Sequence, residues 1–109
     1  MSMSTGSRET LASALAAGAA GSYVSCAKFC GRSGYATVRV RGTFGGATVT
    51  LMTAEDSSGT GEATLTGFSL TAGGSSVVHV SYLDFIKVAV SGGDITTAIT
   101  ATASPHDRL

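Results

Sequence analysis

The sequence predicts an all-β protein: an antiparallel β-sandwich or small barrel of about six to eight short strands, with an N-terminal arm. Two observations predict this fold class. Runs of alternating apolar and polar residues, rich in valine and threonine, recur from residue 35 onward, and a period of two is typical of half-buried strands. Glycine-rich segments separate these runs at roughly ten-residue spacing, as in sandwiches and barrels.

The first segment is the least regular. We divide the chain into an arm or extension over residues 1–22 and a β-sandwich domain over residues 23–109. Alanine and leucine between Glu9 and Ala20 favour a helix, whereas Gly18 and Gly21 limit its length. Helix, strand and extended arm all remain open for residues 9–20. An arm of this kind can order on a neighbouring protein.

Six alternating runs follow in order: YATVRVRG, GATVTLM, EATLTGFSL, SVVHVSY, FIKVAVSG and TTAITATA. In each run alternate positions form one predominantly apolar face, which is expected to point inward. Gly67 loosens the alternation of the third run. The predicted core consists of the large inward residues Val38, Val40, Val49, Leu51, Leu65, Val78, Val80, Ile86, Val88 and Ile99.

The glycine cluster in GTFGGATVTL, from Gly42 to Leu51, suggests either a phosphate-binding loop or a sharp turn. A phosphate-binding loop leads into a helix, whose N-terminus supplies part of the affinity. Strand alternation follows Gly46 instead, and no Lys-Ser/Thr pair follows the glycines. We therefore predict a hairpin turn or bulge with positive φ.

No constellation typical of an enzyme stands out, and we expect a noncatalytic protein without cofactor. Cys26 and Cys30 would need two further ligands to hold a metal, and His79 and His106 lack ligand spacing. We therefore expect no metal site. The segment DSSGTGE offers oxygen ligands but lacks the spacing of a known calcium loop. It is interpreted as a solvated turn.

Charge is sparse and unevenly distributed. Only 13% of the 109 residues are charged and the formal net charge is zero, and a surface this poor in charge is weakly protected against association. Residues 1–41 contain five basic residues and one acidic residue, whereas residues 42–109 contain two basic and six acidic residues. Either these are solvated faces, or they are complementary patches that meet a partner or another copy. The candidate interface residues are Arg8, Arg32, Arg39 and Arg41.

Two classes of partner are not expected. Five positive charges in the basic half are too few for a dedicated nucleic-acid binder. The longest apolar run, LASALAAGAA, is short and broken by serine and glycine, so neither a membrane span nor a signal peptide is predicted. We expect no nucleic-acid or membrane partner.

The order GTFGGATVTL, an Asp/Gly turn, LTAGG, KVAVSGG and TTAITATA resembles small β-sandwich virion proteins of tailed bacteriophages, over roughly Gly34 to Ala103. The sequence departs from that pattern after the acidic turn, where it offers only Phe68 among aromatics. The resemblance implies a capsid decoration or cement protein on the virion, assembled in the host cytoplasm. Its implied partners are the major capsid protein or other virion proteins, and copies of itself. The alternatives are a tail or head–tail adaptor component and a carbohydrate-binding, adhesive β-domain.

Overall fold

A computed structural model of the chain describes residues 8–29, 34–81 and 83–105. Eight strands and one short 3-10 helix make up its regular structure. The strands are β1 (Glu9–Leu15), β2 (Val24–Ser25), β3 (Tyr35–Thr43), β4 (Thr48–Ala54), β5 (Ala63–Leu70), β6 (Gly74–His79), β7 (Phe85–Ser91) and β8 (Ala98–Pro105), and the 3-10 helix is Cys26–Lys28. The predicted all-β class is confirmed.

The strands form two four-stranded antiparallel sheets that pack as a sandwich. The β3 sheet has the order β1-β8-β3-β6, and the β4 sheet has the order β2-β7-β4-β5. The first strand pairs with the eighth, the second with the seventh, the third with the sixth and the fourth with the fifth. The chain is therefore one long hairpin wound into two layers. This connectivity is that of an eight-stranded jelly roll.

The core lies between the two sheets and contains the inward residues that the alternation predicted. All of the predicted core residues are buried except Leu65, which is half-buried and packs against the others. Phe68 is buried instead. The pairing of β4 with β5 shifts register between Thr50 and Met52, and Gly67 has a φ of +91° at this irregularity. The extra β5 residues reverse which positions face inward.

The N-terminal segment is built into the sandwich. Of the three alternatives left open for residues 9–20, the structure has a strand: β1 lies at the edge of the β3 sheet, with Leu11 and Ala12 buried. The chain then crosses to the β4 sheet, where the Gly21 N–H donates to the Val88 carbonyl at 2.8 Å. Residues 9–21 therefore pair with both sheets. Residues 1–7 lie outside the described residues.

The glycine cluster at the end of β3 forms a turn with positive φ, as predicted, but not a hairpin turn. Gly42, Gly45 and Gly46 all have positive φ. The turn joins β3 to β4, which belong to different sheets, and so it is not a hairpin. A side chain on Gly42 would overlap the Ala98 carbonyl oxygen of β8. Glycine is required here for close approach of two backbones as well as for its φ.

Candidate functional site

The outer face of the β3 sheet carries two of the predicted interface residues. Arg39 and Arg41 are exposed on β3 and alternate with the buried Val38 and Val40. Because they are two residues apart on one strand, their Cα atoms are separated by roughly 7 Å. β3 is an inner strand between β8 and β6. Both guanidinium groups therefore project from a rigid part of the sheet.

The neighbours of these arginines are small and uncharged. Thr102 of β8 and Ser75 of β6 lie opposite Arg39, and Thr100 lies opposite Arg41. The outward positions of the four strands carry no Asp or Glu within the part of the chain that the structure describes. Among the described residues, no carboxylate on this face neutralises the positive charge, and an anionic partner gains from it.

Of the other two predicted interface residues, the structure describes Arg8 but not Arg32. Arg8 is exposed immediately before β1, and strand alternation puts it on the same outer face as Thr10, at the far edge from β6. Arg32 lies outside the described residues. The structure therefore brings Arg8, Arg39 and Arg41 to one face, with Arg8 at its margin.

Sequence reasoning missed an exposed apolar patch at one corner of this face. Tyr35 is 45% exposed and Val77 is 47% exposed. The ring of Tyr35 lies 4.9 Å from the ring of His79, centroid to centroid, at 41°. A Cβ on Gly34 would approach the His79 Nε2 atom to 3.2 Å, so glycine makes room for the imidazole. The outward positions in YATV and SVVHV were visible, but only the β3–β6 register brings them together.

The acidic residues lie mainly in loops, and this explains the charge asymmetry along the chain. Glu55, Asp56 and Glu62 belong to the β4–β5 loop, Asp84 to the β6–β7 loop and Asp94 to the β7–β8 loop. Of the acidic residues in the described ranges, Glu9 alone lies in a strand. The second half of the chain contributes more loops with carboxylates, whereas the first half contributes the arginine-bearing strand.

Asp56 closes the β4–β5 loop rather than facing a ligand. One of its carboxylate oxygens accepts hydrogen bonds from the Ser58 N–H at 3.0 Å and the Thr60 N–H at 3.1 Å. Thr60, through its side chain and its N–H, and then Ser58 lower the pKa of Asp56 to about 2. The predicted solvated turn over this segment is in agreement with this geometry.

A second polar cluster joins three elements on the outer side of the β4 sheet. The Tyr23 hydroxyl donates to the Glu62 carboxylate, which forms an ion pair of 3.1 Å with Lys87 of β7. The Lys87 ammonium also lies 4.9 Å from the centroid of the Tyr23 ring. Desolvation, followed by the hydrogen bond to Glu62, raises the pKa of Tyr23 to about 12. The phenol therefore stays protonated and acts as a structural link.

The remaining chemical candidates do not form a centre. In residues 8–29, 34–81 and 83–105 there is no group of three His, Cys, Asp or Glu side chains placed to hold a metal ion. Cys26 is buried at the start of the 3-10 helix, and Cys30 and His106 lie outside the described residues. Nor does any described helix have the length and apolar character needed to cross a membrane.

The chain matches no family model, no curated protein and no solved structure. The arginine-bearing face of the β3 sheet is the feature of the structure that bears most directly on function.

Proposed function

We propose that this protein is a noncatalytic virion structural protein, a capsid decoration or cement protein that binds the head lattice through the outer face of the β3 sheet. The observation that carries the proposal is the pair Arg39 and Arg41 on an inner strand, exposed and surrounded by threonine and serine. Opposite potentials orient and register such a contact.

The strand scaffold of the face and the fold are also compatible with this proposal. The backbone of a strand within a sheet is already ordered, so little backbone conformational entropy is lost when this face docks against an acidic surface. Jelly rolls occur in capsid proteins, but also in lectins and cupins. The fold is therefore compatible with the proposal without specifying it.

The proposal is tested by charge reversal and particle binding. Arg39→Glu together with Arg41→Glu is expected to lower occupancy on phage heads that lack the native protein, with a smaller effect as salt rises, because exposed charges are screened. Lys28→Glu is the matched control, since Lys28 is exposed in the 3-10 helix outside this face. Equal occupancy by the wild type and the double variant, with both folded, would contradict the proposal. Binding to isolated tails and not to heads would favour the tail or adaptor alternative.

One observation favours a second candidate, an adhesive carbohydrate-binding domain. Tyr35 presents an exposed aromatic ring beside His79, and aromatic rings with one apolar face and a polar tip suit such recognition. Tyr35→Ala would then abolish binding to a glycan array. Glycan binding by the wild type, with no binding to heads, would replace the first proposal by this one.

A further inference from the structure

In the described part of the chain four strands lie at sheet edges, and three of them are irregular or short. β1 shifts register twice against β8 and contains Ala14 with a φ of +54°. β2 has two residues, and β5 carries the register shift near Gly67. Bulges and short strands of this kind protect an edge against pairing with another chain.

β6 has none of these protections. All of its residues from Gly74 to His79 pair with β3 without a register shift. Its sequence, GSSVVH, contains no Lys, Arg, Asp, Glu or Pro. Regular, uncharged edges are templates for addition of another strand. β6 is thus the edge of this protein at which strand addition is expected.

The backbone register shows which β6 groups point to the open side. The Val80 N–H donates to the Gly34 carbonyl at 2.8 Å, so this opposed pair is hydrogen-bonded. Because hydrogen-bonded and non-hydrogen-bonded pairs alternate in an antiparallel ladder, Val78 and Ser76 direct their N–H and C=O groups toward β3. The backbone groups of His79, Val77 and Ser75 are directed away from β3. The Val77 side chain is also 47% exposed.

We propose that a second copy of this chain pairs with β6 in the antiparallel sense, about a two-fold axis at Val77. The two β3 sheets then continue as one eight-stranded sheet. Val77 lies opposite Val77 of the partner subunit, and Ser75 lies opposite His79 of the partner subunit. Each opposed pair exchanges backbone hydrogen bonds in both directions. This contact is separate from the proposed lattice contact and does not depend on it.

The distribution of charge and side chains favours a second copy as the occupant. In this register a hydroxyl faces an imidazole and a valine faces a valine, so the edge is complementary to itself. Arg39 lies opposite Ser75 in the sheet. In the proposed register the two Arg39 residues are therefore offset along the strand direction and do not lie opposite each other. From strand spacings, the two Arg39 Cα atoms are roughly 20 Å apart, well beyond the screening length at physiological salt. A charged strand would meet no opposite charge on β6.

The experiment compares two lysine variants of the full-length protein. Sedimentation equilibrium is expected to show a concentration-dependent dimer of the 10.8 kDa chain. Val77→Lys puts two like charges directly opposite each other at the axis and is expected to raise the dimer dissociation constant by roughly tenfold or more. Thr66→Lys is the control, because Thr66 is exposed on β5, the edge of the other sheet, and its dissociation constant is expected to remain that of the wild type. A wild type that stays monomeric, or a dimer insensitive to Val77→Lys, would overturn the proposal.

Cysteine crosslinking tests the register even if the lysine variant fails to fold. The two Val77 Cα atoms of a hydrogen-bonded antiparallel pair lie about 5.5 Å apart, within the range of a disulfide. Oxidised Val77→Cys is expected to give a covalent dimer beyond the wild-type background, whereas Thr66→Cys is not. Crosslinking no greater at position 77 than at position 66 would also overturn the proposal. Dimerisation lost in Thr66→Lys and kept in Val77→Lys would assign the contact to β5 instead.

Discussion

The Thr97 hydroxyl donates a hydrogen bond to the Phe44 carbonyl oxygen at 2.9 Å, joining positions 53 residues apart. The same hydroxyl accepts the Asp94 N–H at 2.9 Å. Thr97 is only 6% exposed. One side chain therefore fastens the β7–β8 loop to the β3–β4 turn at one end of the sandwich, where both connections cross between sheets.

Replacing this side chain by an isostere without a hydroxyl tests the link. Thr97→Val is expected to lower the free energy of unfolding by about 1–3 kcal/mol, because a partly buried carbonyl and N–H lose their partner. Thr48→Val, at an outward position of β4, is the matched control and is expected to change stability little. Urea unfolding monitored by circular dichroism measures both. Equal effects would show that the hydroxyl contributes nothing beyond its methyl-sized volume.

Core truncation tests the facing of β4 and β7. Val49 and Val88 are both fully buried, and truncating either to alanine is expected to cost about 1–3 kcal/mol through lost burial and the cavity left behind. Thr50→Ala, on the outer face of β4, should cost well under that. The comparison uses thermal and urea unfolding of the three variants. Similar losses in all three would mean that the assigned inward face is wrong.

Alanine substitutions at Gly42 and Gly46 distinguish the cost of backbone strain from the cost of disturbing the close approach of two strands. Both have positive φ, but a Cβ on Gly46 meets nothing within 4 Å, whereas a Cβ on Gly42 overlaps the Ala98 carbonyl oxygen. Gly46→Ala is expected to cost about 1–2 kcal/mol from its φ alone. Gly42→Ala is expected to cost clearly more, because β3 and β8 must also move apart. If the two melting temperatures fall equally, the close approach is not a constraint.

Asp56 makes the stability of the protein depend on pH in the acid range. Its pKa is lowered from 3.8 to about 2 in the folded chain by Thr60 and then Ser58. The ionised carboxylate therefore stabilises the fold above pH 3.8, and this contribution is lost as the pH falls toward 2. Asp56→Asn is expected to be less stable than the wild type at pH 7, with a gap that narrows across this window.

Urea midpoints at pH 7, 4 and 2.5 measure this gap. Ser57→Ala, at an exposed position in the same loop, serves as the control and is expected to keep a constant difference from the wild type. A difference between Asp56→Asn and the wild type that does not vary with pH would show that the carboxylate charge does not stabilise the loop.

The fold class, the turns and most of the core could be predicted from the sequence, because they depend on local patterns. Alternation with a period of two decides which residues of a strand face inward without reference to the partner strand. This placed Val38 and Val40 inside and Arg39 and Arg41 outside. The glycines between the runs marked the turns, since positive φ is a property of single residues.

Where alternation fails, only the tertiary structure decides. In β1 the register shift beside Ala12 puts Leu11 and Ala12 both into the core, so the strand has no clean period and was not distinguished from an arm or a helix. In β5 the register shift near Gly67 buries Phe68 and leaves Leu65 only half-buried. Each bulge is set by the partner strand, which lies far away in sequence.

The candidate surfaces likewise include one that the sequence predicts and others that depend on the tertiary structure. Arg39 and Arg41 were assigned to an outer face by the sequence alone, because they occupy the same strand. The Tyr35–His79 contact and the open edge of β6 required the winding of the jelly roll, which pairs β3 with β6 and leaves β6 without an outer neighbour in the described part of the chain. Strand partners are chosen by the packing of two whole sheets, and no local pattern encodes that choice.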